Sequence, residues 1–254
     1  MSTTRSRSRP GPATDPRRAR ALVLVGHGST RRAAPNRLLG RHAETIARRG
    51  LFPKVCVAAL HGEPGPETAL RRLGGDPAWI VPLFMSDGRY TRRRIPELFG
   101  VDGTASGCGL SVLPPLGLHP GIAEIATDRA LDWARDEGVP PASVTLVLVG
   151  HGSADDPASH DATDLQASRV RETGIFGAVK TAFLQQAPNF TQVVRSVGGP
   201  LVAVGLFAAD GVHGAEDVPH LIAESGARGA VYLGAIGGDP RIPDVIIDLV
   251  GIQA

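Results

Sequence analysis

The 254-residue sequence is poor in cysteine, in aromatic side chains and in net charge. Its two cysteines, Cys56 and Cys108, form neither a CxxC pair nor a disulfide framework, which favours a reducing compartment. The net charge of only +2 disfavours a nucleic-acid partner bound by bulk charge, and 4% aromatic residues disfavour binding by base stacking. No apolar run approaches the ~20 residues that span a bilayer. We therefore expect a cytoplasmic protein with no membrane and no nucleic-acid partner.

Glycine and proline are abundant, with 32 and 21 residues, but they follow no collagen-like period. The 42% of hydrophobic residues is enough to form a core. Residues 1–20 are rich in arginine, hold one acidic residue and contain no apolar run. Such a segment buries too little apolar surface to offset its ordering entropy, so we predict a disordered tail over residues 1–20.

An internal duplication is the strongest organisational feature. The segments ALVLVGHGS and TLVLVGHGS end at Ser29 and Ser153, 124 positions apart, and match at eight of nine residues. Downstream, PLFMSDGRYTRRRIPEL (82–98) resembles GLFAADGVHGAEDVPHL (205–221) at a spacing of 123. Two motifs repeated in the same order predict two lobes, over residues 21–136 and 144–254, with a linker at 136–143.

Each half alternates apolar strand patterns with helix patterns. The apolar runs that predict strands are residues 21–25, 55–60, 79–84 and 110–113, and then 145–149, 178–183, 201–207 and 230–236. Helical patterns lie between or after these runs. This alternation predicts an α/β fold made of two tandem lobes, each a doubly wound parallel sheet with helices on both faces.

A Gly-His-Gly-Ser motif follows the first predicted strand of each half. Open parallel sheets bind ligands at the carboxyl ends of their strands, where His27 and His151 are expected. Ser29 and Ser153 come close to a helix N-terminus, where backbone N–H groups favour anions, so we predict that they contact substrate. A single Gly-His-Gly turn is often only structural, but two copies at equivalent strand ends favour a functional role.

A further histidine, His213, follows the third predicted strand of the second half. The ends of the first and third strands of a doubly wound sheet are neighbours at the switch point. We therefore predict that His151 and His213 bind a first-row divalent metal ion. The alternative is that His213 is a solvated residue at a helix start, beside Glu216 and Asp217.

The first half has Tyr90 at the position that corresponds to His213. It does carry His61 after its second predicted strand. His27 and His61 are therefore a second, weaker candidate for a metal site.

Four arginines, Arg89, Arg92, Arg93 and Arg94, fall within six residues of the first half, and the equivalent stretch of the second half has none. Arginine suits bidentate recognition of carboxylate or phosphate. Cations are unfavourable at a helix N-terminus, which disfavours a purely structural role for these arginines. We predict that Arg89 and Arg92 bind an acidic ligand, the alternative being a solvated helix start.

Together these segments resemble the class II chelatases of the sirohydrochlorin chelatase (CbiX) type, in their long, internally duplicated form. The resemblance runs from about residue 21 to the end of the chain. It is carried by LVLVGHGS, by AALHGEPGPETAL and AFLQQAPNFTQV, by the two segments after the third strands, and by PPLGLHPGI and GAIGGDPRIP.

The resemblance implies a lyase of cobalamin or siroheme biosynthesis. Such an enzyme inserts Co²⁺, Fe²⁺ or Ni²⁺ into sirohydrochlorin or a related tetrapyrrole, so the metal is a substrate, and no organic cofactor is expected. The tandem form also implies a monomer that is already a pseudo-dimer, or a homodimer of such chains.

The family holds the metal with histidines after the first and third strands, and the second half matches both, at His151 and His213. After the second strand the family often has Glu, where this sequence has Gln185 and Gln186. The resemblance therefore implies that Gln185 contacts substrate. The carboxylate role would fall to Glu216, to Asp217 or to a carboxylate of the substrate.

Two alternatives to a chelatase remain open at this point. The missing glutamate leaves a non-catalytic carrier of metal or tetrapyrrole as the first alternative. The GHGS motif also resembles the Arg-His-Gly motif of histidine phosphatases. Here Val25 and Gly26 precede His27, and Val149 and Gly150 precede His151, so the arginine of that motif is missing from both copies.

Overall fold

A computed structural model describes residues 19–30, 34–101, 109–209, 216–227 and 229–251. Strands and helices alternate along it as predicted. The first lobe contains β1 (Ala21–Gly28), α1 (Ala34–Arg48), β2 (Val55–His61), α2 (Pro66–Leu73), β3 (Ala78–Pro82), α3 (Ile95–Phe99), β4 (Leu110–Val112) and α4 (Gly121–Asp136). The second contains β5 (Thr145–Gly150), α5 (Ala158–Glu172), β6 (Ala178–Phe183), α6 (Phe190–Arg195), β7 (Leu201–Gly205), α7 (Val218–Ser225), β8 (Ala230–Ala235) and α8 (Ile242–Leu249).

The strands form two four-stranded parallel sheets with the orders β2-β1-β3-β4 and β6-β5-β7-β8. In each sheet the second and third strands lie on opposite sides of the first, which confirms the doubly wound α/β fold. The register pairs Val25 with Pro82 in one sheet and Val149 with Gly205 in the other. The carboxyl ends of the first and third strands are therefore neighbours in both lobes.

Helices cover both faces of each sheet, which is why β1 and β5 are continuous apolar runs. On the outer face of the first sheet, Val23 and Val25 pack with residues of α2 and α3. Helices α6 and α7 cover the outer face of the second sheet in the same way. Helices α1, α4, α5 and α8 contribute to the core that lies between the two sheets.

The inner faces of the two sheets share one hydrophobic core. Leu22 and Leu24 of β1 belong to the same buried cluster as Leu146 and Leu148 of β5. The last helix of each half crosses to the other half, since α4 packs against α5 and α8 packs against α1. The two lobes are thus built around a common helical layer.

Two equivalent buried polar side chains, His42 of α1 and Gln166 of α5, connect the lobes. The Nε2 atom of His42 donates to the carbonyl oxygen of Gly237 at 2.9 Å. The side-chain amide of Gln166 donates to the carbonyl oxygen of Gly117 at 2.6 Å. Each accepting glycine lies in a short 3₁₀ turn before the last helix of the opposite half. Both side chains therefore satisfy a buried carbonyl group across the interface.

The start of the described chain is anchored. Arg20, which the sequence boundary places in the tail, stacks on Trp79 at 3.9 Å from the ring centroid and donates to the hydroxyl of Ser111 at 2.9 Å. Residues 1–18 of the predicted tail lie outside the described residues, as does Cys108. Cys56 is buried in β2, where burial raises the pKa of its thiol. The described helices include none long and apolar enough to span a membrane.

The buried interface histidine makes stability depend on pH. Burial lowers the pKa of His42, and it also lowers the pKa of His119, which lies 3.2 Å from Asp248 of α8. Between these lowered values and the pKa of about 6.5 in the unfolded chain, the unfolded state binds more protons. The melting temperature should therefore fall as pH drops below about 6.5.

The variant His42→Gln tests this expectation, because glutamine is the residue found at the equivalent position, 166. The fall in melting temperature between about pH 6.5 and pH 5.5 should be smaller in this variant than in the wild type. Equal falls in the two proteins would show that His42 does not contribute.

Candidate active site

A cleft of about 1000 Å³ lies between the two lobes. This volume is at the upper end of the ~300–1000 Å³ that is typical of small-molecule sites. Both Gly-His-Gly-Ser loops face the cleft, together with the segments that follow β3 and β7. The lining includes residues 26–29, 83–86, 88–91, 151–153, 155–156 and 206–209. One ligand in the cleft would therefore contact both copies of the repeated motif.

The rings of His27 and His151 are oriented by the same local contact. The Nδ1 atom of His27 donates to the carbonyl oxygen of Gly28 at 3.2 Å, and that of His151 donates to Gly152 at 2.9 Å. In this tautomer the ring lone pair is on Nε2, the nitrogen that acts as metal ligand or proton acceptor. The loop conformation thus selects the chemically useful tautomer in both lobes.

In the first lobe the structure brings the weaker candidate pair together. The ring centroids of His27 and His61 are 4.7 Å apart. Tyr90 lies 5.3 Å from His27, and Phe84 stacks against Tyr90 at 6.0 Å. His27, Phe84 and Tyr90 line the cleft, and His61 lies beside His27 at the end of β2. This lobe therefore presents an aromatic and imidazole cluster.

In the second lobe His151 lines the cleft, and His213 lies outside the described residues. The pairing of His151 with His213 stays a prediction. Gln185 takes the place equivalent to His61, 124 positions later, and its backbone N–H donates to the carbonyl oxygen of His151 at 3.0 Å. Among the described residues no three His, Cys, Asp or Glu side chains are arranged to hold a metal.

The serines of the two motifs shape their loops. The backbone N–H of Ser29 donates to Oδ1 of Asn36 at 3.0 Å, and that of Ser153 donates to Oε1 of Gln186 at 2.8 Å. These N–H groups, predicted to favour an anion, already have protein acceptors. Gln186 thereby has a structural role, whereas the exposed Gln185 is the residue with a side chain available at this strand end. Substrate contacts of Ser29, Ser153 and Gln185 stay predictions.

Two carboxylates that sequence reasoning missed, Asp155 and Asp156, line the cleft. Their backbone N–H groups each donate to the hydroxyl of Ser153 at 3.2 Å, so the loop holds them beside the motif. Glu216 and Asp217, the predicted carboxylates, directly precede α7 and are not among the described residues that line the cleft. The signal for Asp155 and Asp156 was their place just after the second GHGS motif.

The arginine cluster divides in the structure. Arg92 donates to Asp87 at 3.3 Å, Arg93 donates to Glu97 at 3.2 Å, and Arg94 lies 3.9 Å from Glu97. Arg89 lines the cleft and has no carboxylate partner within the described ranges. Of the two arginines predicted to bind an acidic ligand, Arg89 therefore has the geometry for it and Arg92 is engaged by Asp87.

The duplicated cleft has a counterpart among known proteins. The model of the family described as CbiX matches residues 21–132 and again residues 145–251. The chain belongs to the CbiX family. The two matches coincide with the two parallel sheets, so the resemblance seen in the sequence is confirmed in its tandem form.

A relative covers nearly the whole chain. The probable sirohydrochlorin cobaltochelatase of Halobacterium salinarum is 29% identical over 267 residues, which cover 90% of this chain and 89% of the relative.

Solved structures of similar proteins match both lobes. A multi-domain protein of Deinococcus radiodurans, with structural similarity to chelatases, is 26% identical, with a TM-score of 0.79 over 93% of this chain and 56% of its own longer chain. The structure of CbiX, the terminal enzyme of siroheme biosynthesis in denitrifying bacteria, is 25% identical, with a TM-score of 0.73 over 91% of this chain and 98% of its own.

The second glycine of the motif is required by the backbone. Gly152 has φ of 78°, and a Cβ atom there would lie 2.7 Å from Cγ of Gln186 and 3.1 Å from Cβ of Phe183. Replacement Gly152→Ala should lower the free energy of unfolding by about 3 kcal/mol, through the left-handed backbone and overpacking together.

The matched control is Gly174→Ala in the same lobe. Gly174 has φ of 65° with open space around the Cβ position, so only the backbone contributes, about 1 kcal/mol. Urea denaturation of both variants measures the difference. Equal losses would show that the loop relaxes around the new methyl group.

Proposed function

We propose that this CbiX-family protein inserts a divalent metal ion into sirohydrochlorin. The proposal depends mainly on one observation: two copies of the family motif, from two halves, line a single cleft large enough for a tetrapyrrole. The name of the H. salinarum relative supports the same substrate. The relatives named above offer no support for the carrier alternative.

The metal ion is proposed to bind on the wall formed by the second lobe. His151 is held there in the tautomer with its lone pair on Nε2, and His213 follows the neighbouring strand β7 in sequence. Two neutral imidazoles hold a first-row divalent ion and leave coordination positions for the pyrrole nitrogens. A bound cation also lowers the pKa of groups that coordinate it, which assists loss of the two pyrrole protons.

A group on the protein must accept those protons. Gln185 stands at the strand end where the family often has glutamate, and an amide is too weak a base for this role. The cleft-lining residues Asp155 and Asp156 are held beside the motif by Ser153, on the same lobe as Glu216 and Asp217. We assign proton acceptance to this acidic side of the cleft.

The acidic substituents of sirohydrochlorin need cationic partners. Its acetate and propionate groups would meet the guanidinium of Arg89, on the wall formed by the first lobe. Because the two halves share one core, a single chain supplies both walls of the cleft. A monomer is therefore sufficient for the proposed reaction.

Co²⁺ is the metal that we propose first, because the H. salinarum relative is named a cobaltochelatase. Fe²⁺ and Ni²⁺ suit the same imidazole ligands. Parallel assays with the three ions, followed by the absorbance of the macrocycle under anaerobic conditions, would rank them.

The histidines distinguish the two lobes. His151→Ala and His213→Ala should each reduce the rate of Co²⁺ insertion by about 100-fold, because each removes a metal ligand. His27→Ala, the matched change in the first lobe, should reduce it by less than about 10-fold. An inactive His27→Ala protein beside a fully active His213→Ala protein would place the metal site in the first lobe instead.

The arginines test recognition of the macrocycle. Arg89→Ala should raise the KM for sirohydrochlorin by about 10-fold, because one charge-assisted hydrogen bond is lost. The KM for Co²⁺ should be unchanged. Arg93→Ala is the control, because Arg93 is exposed and paired with Glu97. Equal effects of the two variants would indicate a general loss of positive charge rather than a contact at Arg89.

A further inference from the structure

Tyr90 of the first half stands at the sequence position that corresponds to His213 of the second half. Tyr90 has 40% of its surface exposed. It is one of few aromatic residues, which make up only 4% of the chain. Apart from Leu165, it is the one large hydrophobic side chain that is exposed among the described residues. An exposed aromatic ring inside a cleft, rather than scattered on the surface, indicates a binding surface.

Neighbouring rings hold Tyr90 in place. Phe84 stacks on it with 25° between the ring planes, and His27 meets it edge-on at 76°. The next residue, Thr91, is buried, and its hydroxyl donates to Asp87 at 2.8 Å. The ring is therefore positioned before any ligand arrives, which lowers the entropy cost of binding.

We infer that the Phe84–Tyr90 pair is the surface on which the flat face of the macrocycle stacks. This inference depends on the proposed function. Offset stacking of an aromatic ring on an extended π system is energetically favourable. The Tyr90 ring is held in place and partly exposed, so it is available for such stacking. The first lobe then positions the macrocycle, and the second lobe presents the metal ion to it. Tyr90 acts as a residue that binds and positions the macrocycle rather than as a metal ligand.

The test is a binding titration without metal. Metal-free sirohydrochlorin is added anaerobically to the wild type, Tyr90→Ala, Tyr90→Phe and Leu165→Ala, and the macrocycle absorbance is followed. Tyr90→Ala should weaken binding by about 10-fold, and Tyr90→Phe should bind within about twofold of the wild type, because the ring is kept. Leu165→Ala removes an equally exposed apolar side chain on α5 and should bind like the wild type.

Three results would overturn the inference. If the wild type performs chelation and Tyr90→Ala binds sirohydrochlorin as tightly as the wild type, the macrocycle does not stack on Tyr90. The proposed function would then remain intact. Binding by Tyr90→Phe that is as weak as that of Tyr90→Ala assigns the role to the hydroxyl group instead of the ring. A wild type that neither binds sirohydrochlorin nor inserts metal into it overturns the proposed function as well.

Steady-state kinetics separate positioning from a fold defect. Tyr90→Ala should raise the KM for sirohydrochlorin by about 10-fold and leave the KM for Co²⁺ at the wild-type value. A rise in the KM for Co²⁺ alone would make Tyr90 part of the metal site and contradict the inference. The melting temperature of each variant, compared with that of the wild type, shows whether the lobes remain folded.

Discussion

The hydrogen bond from His42 to Gly237 joins a helix of the first lobe to the cleft wall of the second. The N–H group of Gly237 in turn donates to the carbonyl oxygen of Phe207, at 3.0 Å, where the chain leaves β7 and enters the cleft. The equivalent path leads from Gln166 through a glycine to Phe84 in the first lobe. Loss of either buried donor would leave a carbonyl group unsatisfied, at a cost of about 1–3 kcal/mol. Each path connects a helix of one lobe to the cleft wall of the other, and so helps to hold together the two walls that a bridging ligand would contact.

A symmetric scaffold thus carries an asymmetric site. The two lobes share one core, exchange their last helices and orient the histidine of the repeated motif by the same contact. Side chains differ at equivalent strand ends, where Tyr90 corresponds in sequence to His213 and His61 corresponds to Gln185. Under the proposed function, these substitutions separate the handling of the macrocycle, on the first lobe, from that of the metal ion, on the second.

The sequence predicted the sheets well because the first strand of each lobe contains a continuous apolar run that is followed by glycine. Such a run is typical of a strand in a parallel sheet that is buried on both faces. The predicted third strands continued to residues 84 and 207, whereas β3 and β7 end at Pro82 and Gly205. Phe84 and Phe207 line the cleft, so the apolar run continues for two residues beyond the end of each strand. The crossing of α4 and α8 to the opposite halves left no trace in the periodicity, since an apolar helix face does not specify which sheet it covers.

The sequence predicted which strand-end positions of the two repeats form the site, but it did not predict the contacts between their side chains. The duplication located His27 and His151, whereas the contact between Gln186 and Ser153 depends on how two loops meet in space. The same holds for the carboxylates of the second lobe. Under the proposed function, Asp155 faces the cleft on the side that receives a cation, and Arg89 faces it on the side that receives a polycarboxylate. Opposite charges on the two walls favour one orientation of the two substrates, since exchanging them would bring like charges together.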